Sequence, residues 1–173
     1  PEPDLGEWAG RDDFATVAHN GSYIDRQTTA GWTATFTAVQ SGGPTSANPV
    51  LPDLLGTDPN TRAFCFAGGT DKKGSITSPV LTTGCGKLKF TYALAFTDKN
   101  GVDIDVTIMQ NGEAVKTFNV KTACSKYEIQ TFEEEVNVAG EFQILFTNNC
   151  PSNLAGNKDR VSVWDVMWTG YTE

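Results

Sequence analysis

The sequence predicts an all-β domain, an antiparallel β-sandwich, and three observations carry that prediction. Apolar and polar residues alternate with a period of two through much of the second half of the chain. Asn-Gly pairs at 100–101 and 111–112 interrupt the alternation where left-handed turns are needed. Helical periodicity is absent almost everywhere. The 173 residues, 39% of them apolar, suffice for one two-layer core, so residues 1–173 read as a single domain. Residues 1–12 form an N-terminal segment and residues 41–60 a long loop.

Strand candidates in the first half are residues 14–17, 22–24, 32–39 and 62–66. The 41–60 connection is rich in Gly, Pro, Ser and Asn, and only residues 50–55 suit a helical turn. A connection of that length inside a compact domain is often functional.

The clearest strand covers residues 86–96. Leu88, Phe90, Tyr92, Leu94 and Phe96 point to one face, and Lys87, Lys89, Thr91, Ala93 and Ala95 to the other. Ile104, Val106 and Ile108 repeat the pattern, and the turn through Asp98-Lys99-Asn100-Gly101 predicts a hairpin between the two runs. Asn111-Gly112 extends it into a meander. Strands are also expected at 127–132, 136–138, 142–146 and 161–168. The apolar parity switches between Ile129 and Phe132, which predicts a bulge or break near Gln130 and Thr131. The last strand is apolar on both faces and reads as central, with Trp164 and Trp168 on one face in the core.

A formal net charge of −8 argues against binding to nucleic acid or to anionic membranes, both of which recruit clustered Lys and Arg. No stretch reaches the roughly 18–20 uninterrupted apolar residues of a membrane span. Pro1 is not a native start, so the numbering begins inside a longer or processed precursor, with room for a lipid anchor upstream.

Cys65, Cys85, Cys124 and Cys150 lack the C-x-x-C spacing of zinc and redox sites. Disulfides are the economical reading, with Cys65 paired to Cys85 and Cys124 to Cys150, because each pairing closes a local loop beside a strand end. Either would add about 2–4 kcal/mol. The alternative is a set of free buried thiols. Two bridges would imply export to an oxidising compartment, the periplasm or the exterior, and the expected location is extracellular or at the cell surface.

Gly74-Ser75-Ile76-Thr77-Ser78-Pro79, the meander after it, Asn137-Val138-Ala139-Gly140 and the terminal Val161-Ser162-Val163-Trp164-Asp165-Val166 resemble a known module. The chain resembles the galactose-binding-like jelly-roll domains, similar to carbohydrate-binding modules, in secreted and lipid-anchored proteins of Bacteroidetes. Asp13-Phe14, Gly21-Ser22-Tyr23 and Gly31-Trp32 fit the start of such domains. The loop at 41–60 and the four cysteines depart from the commonest pattern. The resemblance implies a jelly roll and a structural calcium shared by Asp13 and Asp165. Calcium needs six to eight oxygen ligands, so backbone carbonyls would have to complete the set. The alternative is a solvated Asp13 and an Asp165 hydrogen-bonded at a strand end.

Catalytic constellations fail for lack of residues. His19 is the only histidine and lies in a turn-like context, and there is no G-x-S-x-G elbow, H-E-x-x-H helix or phosphate loop. Paired carboxylates suffice for a glycosidase, and Asp103 with Asp105 or the run 133–135 offer them. A solvated sheet face is the plainer reading of both, and a plain hairpin fits Asp98, Asn100, Asp103 and Asp105 better than a calcium loop.

Sugar binding asks for less: an aromatic plane against a pyranose ring and polar groups around it. Trp8 and Trp32 are the candidate platforms, weighed against core packing or a lid over the sandwich edge. Loops around Asp71 and Asn153 supply polar partners. The expected function is a non-catalytic carbohydrate-binding or adhesion module of a larger exported protein, with a glycan or cell-surface ligand. A structural spacer or protein-interaction domain is the second reading, and a carboxylate glycosidase the third.

Overall fold

The computed structural model describes residues 7–68, 73–96, 101–149 and 159–173. Eleven strands and one short helix follow in chain order: β1 (Trp8–Asp12), β2 (Asn20–Gln27), β3 (Thr33–Ser41), α1 (Pro52–Leu55), β4 (Arg62–Phe66), β5 (Ser75–Thr77), β6 (Cys85–Ala95), β7 (Val102–Gln110), β8 (Glu113–Thr122), β9 (Gln130–Val138), β10 (Gln143–Asn148) and β11 (Arg160–Thr169). All named pairings are antiparallel.

Hydrogen bonding runs β8-β7-β10-β5-β3-β4-β11-β6-β9, with β2 on β3 and β1 on β11. This ribbon curls until its two ends meet. The rings of Phe118 on β8 and Phe132 on β9 lie 5.5 Å apart edge-on, and Lys116 Nζ donates to the carbonyls of Glu135 and Val136 at 3.2 and 3.3 Å. The result is two layers around one core, as the alternation requires.

Phe66, Phe90, Phe132 and Phe146 form its aromatic centre, with Phe90 and Phe132 stacked at 4.7 Å and Phe146 edge-on to Phe90 at 5.0 Å. Val102, Ile104, Val106 and Ile108 are fully buried against it. Each such side chain contributes about 1.5–3 kcal/mol by leaving water. A second cluster covers the outer face of the back layer. There Ala38, Ala63, Cys65, Ala93 and Ala95 are small enough for Leu51, Leu54 and Leu55 of the long loop to seat on the sheet. Pro52 opens α1, a position where its missing N–H costs nothing.

The Asn111-Gly112 turn joins β7 and β8 as expected, with φ of 52° and 80° at the two positions. The expected hairpin between β6 and β7 does not form. β6 pairs with β11 and β9, whereas β7 pairs with β8 and β10, so the connection crosses from one layer to the other. Residues 13–19 lie between strands, and the N-terminal segment instead supplies β1. The break near Gln130 is the start of β9, which pairs regularly from Gln130 to Glu135. Phe96, with φ of 68°, leaves the inner face and packs against the second cluster.

β11 is central as expected. β6 runs along one edge, and on the other β4 pairs with Val161–Val163 and β1 with Val166–Thr169. Between those two partners the register against β6 slips, with Trp164 opposite Thr91 and Met167 opposite Lys89. Asp165, at φ 54°, sits in this bulge. The extra residue reverses the side-chain parity, so Trp164 and Trp168 fall on opposite faces. Trp168 opposes buried Leu88, while Trp164 opposes outward-facing Thr91 and is half-buried.

Candidate functional site

The bulge also opens a cleft. Where β11 exchanges β4 for β1, a cavity of about 280 Å³ is lined by Arg11, Asp13 and Ala15 on one side and Asp58, Asn60 and Thr61 on the other, with Trp164 and Asp165 between them. Arg11 Nε lies 2.5 Å from Asp165 Oδ1. That hydrogen bond raises the Arg11 pKa further, so the guanidinium stays charged. Ala15 N–H donates to Asp13 Oδ1 at 3.0 Å and Asn60 N–H to Asp58 Oδ1 at 2.9 Å, which fixes both carboxylates at the rim. Trp164 therefore shares the cleft with a guanidinium, an amide, a hydroxyl and three carboxylates.

A second cleft, about 360 Å³, lies further along β11 and is lined by Glu7, Gly86, Lys87, Glu135, Asn137, Thr169, Gly170 and Thr172. Trp8 is its neighbour in β1, pairs with Thr169, and carries the Lys89 ammonium 6.0 Å from its ring centroid. Trp8 is half-buried.

Trp32 is not a platform. It is 1% exposed, packs edge-on to Phe14 at 5.2 Å and donates its indole N–H to Asp12 Oδ2 at 2.7 Å. Asp71 and Asn153 lie outside the described residues. Trp164 was missed as a site residue because its parity with Trp168 placed it in the core. The one signal was Asp165, a charge inside an otherwise apolar run.

Asp13 and Asp165 do share a cleft, yet their arrangement does not fit calcium. Asp165 is engaged by a guanidinium that would repel a cation, one Asp13 oxygen caps a backbone N–H, and no group of three or more His, Cys, Asp or Glu is placed to hold a metal ion among the described residues.

The Cys65–Cys85 bridge is excluded by topology. Cys65 of β4 faces Ser162 of β11, which faces Ala93 of β6, and Cys85 stands eight residues before Ala93. That is about 26 Å of strand, against about 7 Å for the longest bridgeable Cα separation. Both residues are buried thiols. Burial holds the Cys65 thiol protonated and pushes the Cys85 pKa up to about 12. Cys150 lies outside the described residues.

On the opposite layer Asn119 Nδ2 donates to Asp103 and Asp105 at 2.9 Å each, and Lys121 Nζ lies 3.9 Å from Asp103, so these carboxylates form a bonded surface cluster. Glu133 pairs with Lys87 and Lys89 at 3.4 and 4.0 Å. His19 is exposed before β2.

No protein-family model matches the chain, and no curated protein does. Solved structures do match in shape. The carbohydrate-binding module TmCBM61, solved with β-1,4-galactotriose, superposes with a TM-score of 0.54 at 15% identity over 91% of this chain and 94% of that one. The fold is that of the carbohydrate-binding-module β-sandwiches. The K2 cleaved adhesin domain of Lys-gingipain gives a TM-score of 0.61 at 14% identity, covering 92% and 98% of the two chains. A glycoside hydrolase family 43 arabinoxylan arabinofuranohydrolase from Bacillus subtilis, solved with cellotetraose, gives 0.52 at 11% identity, where 89% of this chain covers 28% of that enzyme. Identities this low establish the jelly-roll fold alone. Among the described residues no helix is long and apolar enough to cross a membrane.

Proposed function

We propose that the chain is a non-catalytic, glycan-binding or adhesion module of an exported protein, working outside the cell or at its surface, and that the Trp164 cleft is its binding site. The observation that carries this reading is the half-buried Trp164 indole in a cleft with Arg11, Asp13, Asp58, Asn60 and Asp165. The indole offers an apolar plane to the C–H face of a pyranose. Arg11 and Asn60 donate to ring hydroxyls, and the carboxylates accept from them. The backbone hydrogen bonds to Asp13 and Asp58 and the Arg11–Asp165 pair hold these groups in place before a ligand arrives, which lowers the cost of binding. Likeness of fold to TmCBM61 and to the Lys-gingipain adhesin domain supports the same reading.

Calorimetric titration with β-1,4-galacto-oligosaccharides and cello-oligosaccharides tests it, comparing wild type with Trp164→Ala and Arg11→Ala. Binding by wild type and a loss of about tenfold or more in both variants supports the site. Equal binding by all three proteins removes it. Turnover of either sugar at catalytic protein concentration would instead make the cleft an active site.

A further inference from the structure

We infer that the Trp164 cleft and the Trp8 cleft are two subsites of one strip, and that its ligand is a neutral, linear oligosaccharide rather than a terminal sugar or an acidic glycan. The inference rests on the glycan-binding reading and adds the length and charge of the ligand.

Length follows from register. Trp164 stands opposite Thr91 of β6, while at the other end Lys87 N–H donates to the Thr169 hydroxyl at 2.8 Å. Thr91 and Lys87 lie four residues apart on the same outward face of β6, about 13 Å at the rise of a strand. A single pyranose ring cannot reach both clefts, whereas a chain of several can. Trp164 lines the first cleft, while Trp8 follows Glu7 of the second in sequence, pairs with Thr169 and carries the Lys89 ammonium beside its ring. Between them run Lys89, Met167 and Arg11, neighbours across β6, β11 and β1. The strip is continuous because Arg11 and Met167 pair directly.

Charge follows from the ion pairs. Arg11 lies 2.5 Å from Asp165, and Lys87 and Lys89 lie 3.4 and 4.0 Å from Glu133. Each cation of the strip already faces a carboxylate. The clefts then add Glu7 and Glu135 at one end and Asp13 and Asp58 at the other. A uronate would enter a field of its own sign, in which Arg11 is already paired with Asp165 and Lys87 and Lys89 share Glu133. A neutral sugar meets acceptors for its hydroxyls and donors for its ring oxygens without that repulsion.

The test is calorimetry with the two neutral oligosaccharide series, from monosaccharide to hexasaccharide, and with a matched oligogalacturonate series, at low salt. Wild-type affinity is expected to rise about tenfold from disaccharide to the longer chains. Trp8→Ala should erase that increment and keep short-chain binding, while Trp164→Ala removes both. Asn137→Gly preserves the left-handed backbone at φ 56° and deletes the amide, so it reads the second cleft even if Trp8→Ala loosens β1. Oligogalacturonates should bind at least about tenfold more weakly. Affinity independent of length and of both second-cleft variants, or acidic chains binding as well as neutral ones, overturns this inference while glycan binding stands. Failure of every series to bind overturns both.

Discussion

Gly10 of β1 lies flat against the indole of Trp168 of β11, so close that a Cβ at residue 10 would overlap ring atoms Cζ2 and Cε2. This contact seats β1 on β11 and so sets both clefts, because Arg11 and Asp13 follow Gly10, and Glu7 and Trp8 precede it. Gly10→Ala must push either β1 or a buried Trp outward. The expected cost is about 1–3 kcal/mol, read as a lower midpoint in urea unfolding with unchanged slope. A wild-type midpoint would contradict the seating.

Asp12 holds the indole of Trp32 from beneath the same strand, accepting its N–H at 2.7 Å and the Phe14 N–H at 2.9 Å. Asp12→Ala leaves a buried donor without its acceptor, and a loss of about 1–3 kcal/mol is expected. Burial raises the Asp12 pKa above its ordinary 3.8, against the lowering effect of those two hydrogen bonds. The folded protein therefore binds this proton more tightly than the unfolded chain. Lowering pH through the window between the raised and the ordinary value adds stability from this group, and raising pH through it removes stability. Comparing the pH dependence of unfolding in wild type and Asp12→Asn isolates the slope, which should be less negative in the variant.

Cys65 and Cys85 are expected to resist alkylation in the native protein, since the reactive thiolate is scarce at both. The pairing of Cys124 with Cys150 stands as a proposal from the sequence. With it, alkylation after unfolding without reductant adds two groups by mass, and with reductant four. Four groups in both conditions would remove the bridge, and none without reductant would contradict the buried thiols.

Calcium is expected to leave the thermal midpoint unchanged relative to chelator, because Arg11 already neutralises Asp165. A ligand binding only the native state must raise that midpoint. A rise that persists in Arg11→Ala but vanishes in Asp13→Asn would restore the metal reading.

Alternation made most strands legible, since it reports which side chains leave water. The Asn111-Gly112 turn was legible for a further reason: two adjacent positive φ values suit those residues and force a tight hairpin. Alternation does not report which strand lies alongside, so β6 and β7, each apolar on one face, read as a hairpin although they belong to opposite layers. The same limit hid the site. Trp164 and Trp168 share parity by number, and only the bulge at Asp165 turns one outward. Trp32 carries both a platform and a core reading in sequence, because local pattern does not reveal the Asp12 acceptor that settles it in the core. The Trp164 cleft itself arises where β4 ends and β1 begins along β11, a juxtaposition of segments some 50 residues apart that local pattern cannot express.

The central claim is that a glycan covers the outward face of Trp164. Of the four tryptophans Trp32 and Trp168 are buried, so acrylamide quenching reports chiefly on Trp8 and Trp164. Saturating neutral oligosaccharide should protect wild-type fluorescence from the quencher, and most of that protection should disappear in Trp164→Phe. Protection that is undiminished in Trp164→Phe would contradict the account.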